Sequence, residues 1–94
     1  MTNGPAPRLT GAFNTSLLGA SLKVRRRSRK LTLRELSEQT GFSISSLSEL
    51  EQGEKLTFHK VAIVCRALGV RLSTVLLEVE RADGAPPAKG KRPE

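Results

Sequence analysis

The chain contains no tryptophan or tyrosine, and only one cysteine and one histidine. No run of alternating apolar and polar residues is long enough to make one face of a sheet, so no segment reads as a strand. One cysteine forms no internal disulfide and builds no cysteine cage for a metal. His59 has no second histidine or cysteine at ligand spacing, so neither a metal nor another cofactor is expected. Long apolar runs are missing as well. The longest is the five residues Val61–Cys65, far short of the ~20 that cross a bilayer. No charged-then-apolar leader opens the chain. The expectation is a cytoplasmic protein with no membrane partner. Serines are plentiful, but the sole histidine lies in a different helical segment, so no nucleophile–base pair is formed and catalysis is not expected.

Proline is confined to the two ends. Residues 1–12 hold proline and glycine with scattered apolar side chains, and residues 81–94 hold three of the five prolines and no large hydrophobe. Neither stretch buries enough surface to offset its ordering entropy. Both read as disordered tails, the second basic, flanking one domain over residues 13–80.

What is abundant is positive charge: 16 Lys and Arg against nine Asp and Glu, a net charge of +7. The excess is concentrated. Lys23, Arg25, Arg26, Arg27, Arg29, Lys30 and Arg34 fall within twelve residues that contain no acid. A cationic block of this density inside a folded region fits a polyanion, nucleic acid above all. It fits a membrane surface poorly, because it interrupts the apolar pattern that a membrane-lying helix needs.

Helix start signals repeat four times, each a hydrophobe, an oxygen-bearing cap and a second hydrophobe four residues after the cap: Phe13-Asn14-Leu18, Leu31-Thr32-Leu36, Phe42-Ser43-Leu47 and Leu56-Thr57-Val61. The cap accepts from an otherwise unpaired N–H, and the hydrophobes clamp the entry of the chain. Glu35, three residues after Thr32, completes a capping box. Gly41, Gly53 and Gly69 close periodic segments. The pattern predicts helices over 14–28, 32–40, 43–52, 57–68 and 71–80, an all-α compact five-helix bundle. The last helix carries a Leu72, Val75, Leu76, Val79 stripe but starts at Arg71, a poor cap.

The second and third helices are joined only by Thr40-Gly41-Phe42, a link short enough to force the steep crossing of a helix-turn-helix. At about 100° per residue, Leu47 and Leu50 share the buried side of the third helix. Ile44, Ser45, Ser48, Glu49 and Gln52 share an exposed, mostly polar strip.

Over residues 17–77 the sequence resembles the phage repressor/Cro-type (Xre-like) helix-turn-helix family. The run Leu31-Thr-Leu-Arg-Glu-Leu-Ser-Glu-Gln-Thr-Gly-Phe-Ser-Ile-Ser-Ser-Leu-Ser-Glu-Leu-Glu-Gln-Gly53 carries the turn glycine, the two inward leucines and the Leu-Glu-x-Gly ending in register, and Arg66-Ala-Leu-Gly-Val70 follows. The resemblance implies a lambda-repressor-like DNA-binding domain. Leu33 stands where the family usually has a phosphate-binding Gln, Ser37 where it has Ala, Thr40 where an apolar residue is usual, and Leu56 where Pro is common.

By resemblance Ile44, Ser45 and Glu49 touch base edges, and Ser48, on the same strip, is expected to contact bases with them. A carboxylate accepts from cytosine N4, a hydroxyl serves several bases, and an apolar side chain meets a thymine methyl. The third helix has two glutamates and no cation, so phosphate affinity must come from its N-terminus at Ser43, from Gln52, and from Lys23, Arg25, Arg27, Arg29, Lys30, Arg34, Lys55 and Lys60. In the family Arg26 and Glu51 form an ion pair between the first and third helices. Both are assigned to structure, and Cys65 to the core. The function implied is sequence-specific binding of double-stranded DNA by a homodimeric, nucleoid-associated transcriptional repressor. The alternative from another class is an antitoxin that binds a protein partner through the C-terminal tail.

Overall fold

The computed structural model describes residues 13–83. Five helices follow one another: α1 (Thr15–Ser28), α2 (Leu33–Thr40), α3 (Ile44–Glu51), α4 (Phe58–Leu68) and α5 (Leu72–Ala82). Among the described residues there is no strand, and no helix is long and apolar enough to cross a membrane.

Four helices begin at the oxygen-bearing caps. The Asn14 side chain accepts from the Leu17 N–H at 3.0 Å, Ser43 from Ser46 at 3.0 Å and Thr57 from Lys60 at 3.1 Å. Thr32 Oγ1 accepts from the Glu35 N–H at 3.0 Å while Glu35 Oε1 accepts from the Thr32 N–H at 2.8 Å, a closed capping box. Each bond satisfies a donor that the first turn leaves unpaired. Arg71 makes no such bond at the start of α5.

Three helices close alike. Leu31 N–H reaches back to Arg26 O and Lys30 N–H to Arg27 O after α1. Glu54 to Glu49 and Gly53 to Leu50 repeat the pattern after α3, and Val70 to Cys65 and Gly69 to Arg66 after α4. This paired closure needs a left-handed residue. Gly53 and Gly69 supply it at φ 83° and 71°, but after α1 it falls to Lys30 at φ 59°.

α5 runs to Ala82, past the expected limit at residue 80. Asp83 then accepts from Asn14 Nδ2 at 3.1 Å, tying the end of α5 to the start of α1. Residues 81–83, assigned from sequence to the C-terminal tail, therefore belong to the folded domain. The remaining tail assignments, 1–12 and 84–94, lie outside the described residues.

One apolar cluster draws on all five helices: Leu18 and Leu22, Leu36, Leu47 and Leu50, Val61, Val64, Cys65 and Leu68, then Val75 and Val79. Burial pushes the Cys65 thiol above its ordinary pKa, with the Arg25 charge acting the other way. α1 packs against α3, α4 and α5, and α2 against α3 and α4. α1 and α3 meet backbone to backbone. A Cβ on Gly19 would stand 2.5 Å from the carbonyl oxygens of both Leu50 and Glu51. One on Gly53 would stand 2.7 Å from Thr15 O. Those contacts fix the end of α3 against α1.

Candidate nucleic-acid interface

The turn between α2 and α3 is stitched by side chains. The Gly41 N–H donates to Ser37 O at 2.8 Å, with Gly41 left-handed at φ 84°. Ser37 Oγ donates to Phe42 O at 2.6 Å. Thr40 Oγ1 donates to Leu36 O at 2.9 Å and accepts from the Phe42 N–H at 3.2 Å. The two hydroxyls that depart from the family pattern thus hold the backbone on both sides of Gly41. Phe42 meets the His59 ring edge-on, with centroids 6.4 Å apart and planes at 82°. Leu33 packs against the core and has no amide to offer a phosphate.

On α3 the two faces separate as the periodicity requires. Leu47 and Leu50 are each 1% exposed, while Ile44 is 43% exposed. Ser45 and Gln52 are exposed, and Ser48 and Glu49 are half-buried. Gln52 Nε2 donates to Ser48 Oγ at 3.3 Å, bridging the strip. Ser43 Oγ is engaged as the cap. Lys55, expected at a phosphate, has its Nζ 3.5 Å from Glu49 Oε2.

Arg26 and Glu51 lie in the interior. Arg26 Nε donates to Glu51 Oε2 at 2.6 Å and Nη2 to Oε1 at 3.1 Å, while Nη1 donates to Leu31 O at 2.7 Å. The guanidinium thereby joins α1, the α1–α2 loop and α3 through one planar group with matched partners.

The basic block splits along α1. Arg25 pairs with Glu78 of α5, and Arg29 Nη1 donates to Leu68 O at 2.8 Å, placing a cation on the carbonyl end of α4. These two, expected at phosphates, each have a partner inside the domain. At about 100° per residue, Lys23 and Arg27 fall on the flank of α1 that carries Gly19 and Arg26, the residues facing α3. Arg25 falls on the opposite flank. Arg27, Lys30 and Arg34 are exposed, and Lys23 and Lys60 half-buried. Among the described residues none of these five forms an ion pair.

Sequence reasoning missed Gly19, whose interior position in a helix is itself a signal of close packing. It also missed Glu78 and the Leu68 carbonyl as partners, which no local pattern announces.

Residues 17–78 match the family model described as a helix-turn-helix domain. Two crystal structures of the clp gene regulator ClgR from Corynebacterium glutamicum are similar. One is 39% identical with a TM-score of 0.68, covering 74% of this chain and 76% of that one. The other is 41% identical with a TM-score of 0.65, covering 71% and 87%. No curated protein matches. The five-helix fold, the stitched turn and the family match across residues 17–78 agree, and the chain belongs to the helix-turn-helix family, in its Xre-like branch.

Proposed function

We propose that this protein is a transcriptional regulator that binds double-stranded DNA sequence-specifically, with α3 in the major groove. The observation that carries the reading is the solvent-facing strip of exposed Ile44, Ser45 and Gln52 with half-buried Ser48 and Glu49, carried on α3 and its C-cap while the other side of α3 is locked into the core. A strip of mixed apolar, hydroxyl and acceptor chemistry suits base edges. The ClgR proteins being gene regulators supports the same reading, and neither similar structure supports an antitoxin.

In this account Lys23, Arg27, Lys30, Arg34 and Lys60 contact phosphates, with the α3 N-terminus at Ser43. Arg25 and Arg29 leave that set, because each already holds a partner within the fold. Phosphate contacts supply affinity and the α3 strip supplies preference. Two copies bind an inverted repeat, with half-sites roughly 34 Å apart. Support for pairing is apolar surface around α5. Leu77 is 46% and Phe58 77% exposed, and a groove of about 390 Å³ runs between Phe13, Phe58, Leu72 and Leu76.

Selection from random duplexes, followed by methylation protection of guanine N7, tests the reading. A recovered inverted repeat with major-groove protection in each half-site is expected. Recovery of no motif, or protection of one half-site at one protein per duplex, contradicts it.

A further inference from the structure

Only two non-glycine residues among those described have positive φ: Lys30 and Lys55. Lys30 closes α1 and is accounted for. Lys55, at φ 51°, closes no helix, since the closure of α3 is complete with Gly53 and Glu54. A left-handed non-glycine residue is uncommon and mildly strained, and such residues concentrate where function requires them. The chain bends at Lys55, and Lys55 Nζ lies 3.5 Å from Glu49 Oε2.

Stability does not account for the pair. The side chains are 73% and 36% exposed, and exposed ion pairs contribute little to folding. The loop that carries Lys55 is nevertheless anchored. Gly53 lies against the backbone of Thr15 and Ser16, and the Glu54 N–H donates to Glu49 O at 2.8 Å. The ammonium therefore projects from a backbone already held against α1 and α3.

We propose that Lys55 is a positioning residue for base reading, aiming and neutralising the Glu49 carboxylate; the proposal rests on the reading that Glu49 faces a base. A lone carboxylate entering the groove loses water and meets phosphate repulsion on both walls. With Lys55 on Oε2, that repulsion is offset and Oε1 remains open to accept from an exocyclic amine. Preference at one base pair then depends on an ammonium that touches no base.

The test uses the full chain and separates backbone from charge. Lys55→Gly keeps the left-handed turn and removes the ammonium, whereas Lys55→Arg keeps a cation. Each is measured, beside Glu49→Gln, against the selected duplex and its three variants at the base pair Glu49 reads, at fixed salt, together with thermal melting. Lys55→Gly should melt no lower than wild type, yet lose discrimination at that position on the order of tenfold, with other positions unaffected. Lys55→Arg should retain most of it. If Lys55→Gly weakens all four duplexes equally while Glu49→Gln still shifts preference, Lys55 is a plain phosphate contact and the proposal falls alone. If Glu49→Gln shifts nothing, the reading of Glu49 falls and takes this role with it.

Discussion

Gly19 of α1 lies directly against the carbonyl of Glu51 at the end of α3, so close that a methyl group there would stand 2.5 Å from the oxygen. The obstacle is backbone at both Leu50 and Glu51, which no side-chain rotation relieves. Gly19→Ala should therefore force α1 and α3 apart and destabilise the fold by roughly 1–3 kcal/mol, the range for overpacking. Urea unfolding would measure this. An unchanged midpoint would show that the helices can separate without loss.

The Arg26–Glu51 pair joins the same two helices by charge. The residues are 8% and 9% exposed, so removing one leaves the other buried without its counter-charge. Glu51→Ala should cost about 3–5 kcal/mol without any DNA present. Replacing both by apolar residues of similar volume should cost less than either single change. Melting curves of the two single variants and the double variant decide between a coupled pair and two independent charges.

The basic block should divide by mutation as it does in the structure. Arg27→Ala and Arg34→Ala should each weaken binding to all duplexes alike and flatten the salt dependence by about one unit of slope. Arg25→Ala should leave the slope unchanged, because its guanidinium is held by Glu78. Affinities across a salt series check all three. Equal slope changes for Arg25 and Arg27 would place both flanks of α1 on DNA.

Local chemistry made most of the fold legible. Asn14, Thr32, Ser43 and Thr57 are caps in the sequence and in the structure, because capping needs only neighbours in the chain. The left-handed glycines after α2, α3 and α4 follow for the same reason. What escaped depends on partners distant in sequence. The charge of Arg25 and Arg29 is plain to read, but the loss of their side chains to Glu78 and Leu68 is not. Asp83 looks like part of a polar tail until Asn14 is beside it. In the candidate interface the two faces of α3 follow from periodicity alone, whereas the Glu49–Lys55 pair sits beside a left-handed Lys55 that its residue type disfavours.

Base reading by the solvent-facing strip of α3 is tested most directly at Glu49. A carboxylate accepts hydrogen bonds but donates none, so it suits the cytosine amino group and opposes guanine O6 and N7. Glu49→Gln keeps the shape while adding a donor. Binding-site selection on wild type and variant should recover motifs that differ at one base pair per half-site, the variant favouring adenine there by roughly 1–3 kcal/mol. Identical motifs from the two proteins would contradict the account and move base preference off Glu49.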